Sequence, residues 1–138
     1  MSQPTFYHLA KILSSVPTSP LTATKDRLLE GYWTDGSKNS PYPKIYCAFS
    51  KVDPVFLFML KGLMKKGREQ AEATDTKVYF LAVRGMARCQ LCGEIDNAGT
   101  FYFERDGYKF CMPANMLHFY EDHNVHPSPE FKAFVLEA

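Results

Sequence analysis

The stretch that decides the fold of the C-terminal part of this chain is Cys89-Gln90-Leu91-Cys92-Gly93, and twenty-five residues separate Cys92 from His118, which is followed by His123. Two thiols separated by two residues, and two imidazoles separated by four, have the spacings of tetrahedral zinc sites. The glycine after the second cysteine lets backbone amides approach both sulfurs. The spacing therefore predicts a zinc ion bound by Cys89, Cys92, His118 and His123.

The residues between the two ligand pairs predict a β-hairpin followed by a helix. Two short aromatic runs, residues 100–103 and 108–111, flank Asp106-Gly107, and Asp-Gly supplies the positive φ angles that a tight hairpin turn needs. Pro113 suits the first turn of a helix, which we expect to extend to His123. Together with the cysteine pair, these elements predict a zinc-finger-like module made of a knuckle, a hairpin and a helix.

Other cysteines and histidines leave alternatives to this ligand set open. Cys111, at the end of the second hairpin strand, competes as a third ligand, and His126 would replace His123 if the helix ended early. The Cys-x2-Cys pair also has the spacing of a redox-active dithiol, although that chemistry needs the motif to open a helix after a strand. The even count of four cysteines does not exclude two disulfides.

The charged residues near the predicted ligands suggest supporting roles rather than catalysis. Arg84 and Arg88 flank the cysteine pair, while Glu121 and Asp122 lie between the histidines, where they would support a ligand or face solvent. A catalytic zinc usually keeps three protein ligands and an open position, whereas two cysteines with two histidines are typical of a closed site. The sequence therefore favours a structural metal site and a protein that is not an enzyme.

Upstream, the hydrophobic pattern predicts short helices and strands. Apolar residues at helical spacing predict helices over residues 6–15 and 25–33, and the turn-rich residues 34–43 lead to a predicted strand over 45–49 that contains Cys47. These segments supply the N-terminal helices and short strands of the predicted α+β fold.

A longer helix is predicted to begin at Asp53-Pro54, because an aspartate at the N-cap and a proline at the first helical position favour helix initiation. Its buried stripe contains Phe56, Met59, Leu60 and Leu63. We expect Gly67 to mark the end of this helix or a kink in it. Residues 77–83, rich in β-branched and aromatic types, predict a buried strand that leads to the cysteines.

Length and composition predict one α+β domain over residues 1–138, with residues 84–127 as a zinc-finger-like subregion within it. The formal net charge of +1 gives no overall field that would attract nucleic acid or anionic membrane. The first sixteen residues lack the apolar region and cleavage site of a secretory signal, and no apolar stretch is long enough to span a membrane. A cytoplasmic location is the resulting expectation.

The stretch 84–93, with Pro113, His118-Phe119-Tyr120, His123 and Pro129-Glu130-Phe131, resembles the C-terminal part of a family of small bacterial proteins of uncharacterised activity. The resemblance extends more loosely upstream to about residue 30. It implies that Cys89, Cys92, His118 and His123 are the recurring polar set, and it leaves Cys111 outside that set. Met112 stands where the family pattern has tryptophan.

Two classes of function follow from these observations. The favoured one is a zinc-binding bacterial protein whose structural metal site supports a surface for a protein partner. The alternative is a nucleic-acid-binding or nuclease-related protein that presents Arg88, Arg105, Lys109 and the basic end of the long helix, residues 61–68, to phosphate. A steep dependence of DNA or RNA affinity on salt would distinguish the alternative from the favoured function.

Overall fold

The centre of the molecule is a five-stranded mixed sheet in the computed structural model, which describes residues 17–32, 50–70, 75–89 and 91–137. Its strands are β1 (Leu21–Ala23), β2 (Leu28–Glu30), β3 (Lys77–Arg88), β4 (Ile95–Arg105) and β5 (Tyr108–Pro113). Their spatial order is β1-β2-β5-β4-β3, and every neighbouring pair is antiparallel except β2 and β5, which are parallel. The predicted single α+β domain is confirmed.

Three helices are described: α1 (Pro54–Glu69), α2 (Met116–Asp122) and α3 (Pro129–Leu136). The Asp53 carboxylate accepts the Val55 N–H at 2.9 Å, so the predicted start of α1 is confirmed. Helix α3 begins in the same way, with the Ser128 hydroxyl accepting a hydrogen bond from the Phe131 N–H and a proline in its first turn. The sequence contained this Ser-Pro signal, but we had not predicted the helix. None of the described helices is long and apolar enough to cross a membrane.

The β4–β5 hairpin has the predicted turn. Asp106 and Gly107 have φ angles of 52° and 83°, and the two strands pair from Arg105 and Tyr108 back to Thr100 and Pro113. Alternate residues of this hairpin point to the helices and form the middle of the core. They are Phe101, Phe103, Phe110 and Met112, each no more than 2% exposed.

Aromatic side chains join the helices to the hairpin. The ring of Phe131 in α3 lies 5.6 Å from that of Phe103 and 5.4 Å from that of Phe110, measured between centroids. Phe56 in α1 contacts the edges of both Phe131 and Tyr120. Because aromatic rings bury large apolar areas and pack in these edge-on geometries, this cluster fixes α1, α2 and α3 on one face of the sheet.

A buried carboxylate connects β2 to the helical layer. Glu30 is fully buried and accepts hydrogen bonds from the Tyr120 hydroxyl at 2.9 Å and from the Ser128 N–H at 3.0 Å, with the Ser128 hydroxyl as a third donor. Burial raises the pKa of Glu30, while the hydrogen bonds from Ser128 and Tyr120 act in the opposite direction. Since Tyr120 lies between the two predicted histidine ligands, this network also positions α2.

One prediction about the sheet is wrong, and a second is confirmed for the strand but wrong about its burial. Residues 25–33 were expected to be helical, but Leu28–Glu30 form strand β2, which pairs with β1 on one side and with β5 on the other. Residues 77–83 were expected to form a buried strand. They are the first part of β3, which is the edge of the described sheet, and Val78 is the only residue of β3 that is buried.

Two predicted helix boundaries are also wrong. Gly67 neither ends nor borders α1, which continues to Glu69 and is capped by Gln70 in the left-handed conformation. A Cβ at position 67 would lie 2.7 Å from Val78 Cγ1, so the glycine allows the helix to approach β3. Pro113 is the last residue of β5 rather than part of a helix, because its neighbour Ala114 still bonds to β4 before α2 begins at Met116.

Three predictions lie outside the described residues. They are the helix over 6–15, the loop over 34–43 and the strand over 45–49 with Cys47.

Candidate metal centre

The two cysteines lie in the turn between β3 and β4. The Cys89 N–H donates to the Glu94 carbonyl at 2.9 Å, and the Gly93 N–H donates to the Cys89 carbonyl at 2.8 Å. Gly93 has a φ of 77°, a conformation that glycine adopts at little cost. The Leu91 N–H points at Cys89 Sγ, with a distance of 3.4 Å. This tight turn therefore directs backbone amides at the Cys89 sulfur, one of the two sulfurs for which such contacts were predicted.

The two histidines come from α2 and its C-terminal end. His118 lies within the helix, whereas His123 is the C-cap residue, and its N–H donates to the Phe119 carbonyl at 3.2 Å. Phe119 and Tyr120 between them are buried, at 2% and 0% exposure, and anchor the helix in the core. A helix that ends at His123 brings both imidazoles to the side on which the cysteine turn lies.

The four donor atoms converge on one point. Cys89 Sγ lies 3.3 Å from His123 Nε2, Cys92 Sγ lies 3.2 Å from His118 Nε2, and the two Nε2 atoms are 3.1 Å apart. All four atoms lie within 4.8 Å of one another. In a tetrahedral zinc site, bond lengths of about 2.3 Å to sulfur and about 2.0 Å to nitrogen separate the ligand atoms by roughly 3.3–3.8 Å. The four residues are thus close enough to hold a metal ion.

Two carboxylates orient His118. Its Nδ1 lies 2.8 Å from Asp122 Oδ2, one helical turn away, and 3.7 Å from Glu94 Oε2 in the cysteine turn. An Nδ1–H donated to a carboxylate leaves the lone pair on Nε2, which is the nitrogen that faces the sulfurs. The supporting position of Asp122 agrees with the sequence analysis. Glu94 was missed, since nothing in its sequence context distinguishes it from a solvent-facing glutamate.

The site is closed on one side and open on the other. Cys89 and His123 are buried, at 3% and 1% exposure, while Cys92 lies nearer the surface. Burial raises the pKa of the Cys89 thiol, and the N–H groups of Leu91 and Cys92 act against that shift by favouring the thiolate. A bound cation would favour the thiolate further, because metal ions displace the proton from a coordinating thiol.

The alternative ligands lie elsewhere in the fold. Cys111 is buried in β5, and it is not a member of the Cys/His cluster. His126 is also outside the cluster, since its Nε2 lies 2.9 Å from the Ser50 carbonyl oxygen and its backbone bridges to Thr18. The three described cysteines are all free, and the cysteine pair opens into a turn and a strand rather than a helix.

Two of the basic residues proposed for phosphate contact already have partners in the structure. Arg105 donates to the Phe134 carbonyl at 2.6 Å and to the Thr76 hydroxyl at 3.0 Å. Lys61 forms an ion pair with Glu121. Arg105 is thus occupied within the fold, whereas Lys61 is paired with a carboxylate at the surface.

Comparisons with protein-family models, with curated proteins and with solved structures gave no match for this chain.

Proposed function

We propose that this protein binds one zinc ion through Cys89, Cys92, His118 and His123, and that the ion has a structural role. The observation that carries the proposal is the convergence of two thiol sulfurs and two imidazole nitrogens within 4.8 Å. Two sulfur and two nitrogen donors suit zinc better than magnesium or calcium, which prefer oxygen ligands. Four protein ligands also complete a tetrahedron and leave no position for a reacting water.

The proposed ion would connect two segments that are far apart in sequence. Two ligands come from the turn at the far end of the long β3–β4 ribbon, and two come from α2. A β-bulge between Ala82 and Met86 separates this end of the ribbon, residues 86–97, from the part that belongs to the main sheet. We call residues 86–97 the ribbon tip. Zinc would hold the ribbon tip against α2, and structural zinc sites supply on the order of 10–16 kcal/mol in finger peptides.

The ribbon tip offers a surface for a protein partner. Met86 is 62% exposed and Ile95 is 49% exposed. Arg88 lies opposite Ile95 in the register, and Met86 lies two residues before Arg88, so the three side chains share one face of the ribbon. Exposed apolar side chains on a rigid element are typical of interaction sites. Membership of the bacterial family and a cytoplasmic location are parts of the same proposal.

Metal analysis of the purified full chain tests the zinc site. We expect about one equivalent of zinc per chain, and a large loss in Cys92→Ser, since Cys92 lies nearer the surface and its sulfur is needed chiefly as a ligand. Cys111→Ser is the matched control, because this cysteine lies outside the cluster, and it should keep the metal. Zinc far below one equivalent, together with rapid reaction of Cys89 with a thiol reagent in the native protein, would refute the proposal.

A comparison of two exposed sites tests the partner surface. Met86→Asp should abolish the co-purification of any specific partner, because it places a charge in the apolar surface of the ribbon tip. Phe58→Asp is the matched control, since Phe58 is 78% exposed on α1. Equal recovery of the same proteins with both variants would remove the ribbon tip as the interaction surface.

A further inference from the structure

The sheet has a second face, opposite the described helices, with its own chemistry. Because side chains alternate along a strand, the residues between the core phenylalanines point away from α1, α2 and α3. We call this the outer face, and it carries a shallow depression of about 470 Å³. The side chains that matter there are Arg27, Tyr79, Tyr102, Glu104 and Lys109.

Two tyrosines lie side by side on the outer face. Tyr79 of β3 and Tyr102 of β4 are directly opposite each other in the antiparallel register, which places their Cβ atoms about 5 Å apart. Tyr79 is 56% exposed. The Arg27 guanidinium lies 4.8 Å from the centre of the Tyr102 ring, within the range of a cation–π contact. Aromatic rings and a guanidinium plane are thus presented together at an accessible surface.

Positive charge surrounds these rings. Lys77, Glu104 and Lys109 are neighbours in the register of three adjacent strands, on the same face as the tyrosines. Together with Arg27, these described side chains comprise three cations and one anion, a net charge of +2. This part of the outer face therefore has the sign of charge that binds a phosphate backbone.

We propose that the outer face binds single-stranded nucleic acid. Every base has a π-face that can stack on Tyr79 or on the Arg27 guanidinium that lies over Tyr102, and the flanking phosphates would be bound by Arg27, Lys77 and Lys109. Sheets that stack unpaired bases on exposed aromatic residues use this arrangement. The depression is large enough for a nucleotide. In a duplex the neighbouring base pairs stack on one another and cover the π-faces, so the preferred ligand is a single strand.

The proposal is tested with the full-length, metal-loaded protein and fluorescent oligonucleotides of about a dozen residues. Oligo(dT) and oligo(U) of the same length distinguish DNA from RNA, and a duplex of mixed sequence is the competitor. We expect fluorescence anisotropy to rise on binding to one or both single strands at about 50 mM salt. Three phosphate contacts predict a slope of about −2 for log affinity against log salt, at about 0.7 per contact.

A tyrosine pair provides the first matched comparison. Tyr79→Ala should weaken binding about 5- to 100-fold, since it removes one stacking ring. Tyr108→Ala should leave affinity unchanged. Tyr108 is 62% exposed, but it lies two residues before Phe110 in β5, so its side chain points to the helical face of the sheet and not to the outer face. Equal weakening by both substitutions would contradict the proposal.

A lysine pair provides the second comparison. Lys109→Gln should weaken binding and reduce the salt slope by about 0.7, the share of one phosphate contact. Lys65→Gln, an exposed lysine on α1, should change neither quantity. No anisotropy change with any single strand at this salt, or tighter binding of the duplex, would overturn the proposal. The zinc site is not required for this inference, so its failure would leave the proposed metal site untouched.

Discussion

Removal of the Asp122 carboxylate should weaken zinc binding without removing a ligand. Asp122 Oδ2 lies 2.8 Å from His118 Nδ1, and such partners fix the orientation and tautomer of a ligating imidazole. Their loss typically costs 10- to 100-fold in metal affinity. Asp122 is 55% exposed, and Glu94 Oε2 lies 3.7 Å from the same nitrogen and can replace it. We therefore expect Asp122→Ala to weaken zinc affinity about tenfold, the lower limit of this range, which corresponds to about 1.4 kcal/mol of binding free energy.

The second carboxylate makes this prediction sharper. When Glu94→Ala is added to Asp122→Ala, no described carboxylate remains near His118 Nδ1, so the loss should approach about 100-fold. Competition against a chromophoric zinc chelator measures these affinities directly. Glu121→Ala is the matched control, because this neighbouring carboxylate pairs with Lys61 instead. The reasoning is refuted if the double variant binds zinc as tightly as the unaltered protein, or if the control loses as much affinity.

Two further predictions concern stability. The raised pKa of Glu30 means that its protonated form stabilises the fold, so this contribution is complete below the unfolded value of about 4.5 and is lost as pH rises through the folded pKa. The difference in unfolding free energy between the unaltered protein and Glu30→Gln should therefore become smaller as pH rises. Urea titrations at several pH values measure this difference, and a difference that stays constant or grows with pH would contradict the prediction. Gly67→Ala should destabilise the protein by about 1–2 kcal/mol, because its Cβ would lie 2.7 Å from Val78 Cγ1. Gly62→Ala, with open space around its Cβ, should stabilise α1 by up to about 1 kcal/mol, and the same sign for both alanines in urea unfolding would disprove this account.

Local sequence signals predicted the parts of the fold that are determined by residues close together in the sequence. The Asp106-Gly107 turn and the start of α1 at Asp53 were predictable, because turn and capping preferences act within a few residues. The spacing of the cysteines and of the histidines identified the four residues that the fold brings together. Their convergence itself depends on the packing of α2 against the ribbon, which no local pattern specifies.

Features that depend on distant partners were missed. Leu28 and Leu29 fit a helix or a strand equally well, and their pairing with Phe110 and Cys111 of β5 decides for the strand. Glu30 resembles an ordinary surface glutamate in the sequence, because its partners Tyr120 and Ser128 are 90 and 98 residues away. Long-range contacts of this kind override local propensity, since burial and pairing are worth more than the intrinsic preferences.

X-ray absorption at the zinc edge of the purified full chain tests the proposed metal site most directly. Coordination by Cys89, Cys92, His118 and His123 predicts two sulfur atoms at about 2.3 Å and two nitrogen atoms at about 2.0–2.1 Å from one ion. The zinc that Cys92→Ser still retains should show one sulfur contribution instead of two, while Cys111→Ser should keep its zinc and leave the spectrum unchanged. A shell with oxygen or nitrogen ligands only, or a sulfur contribution that persists undiminished in Cys92→Ser and disappears in Cys111→Ser, would contradict the proposed site.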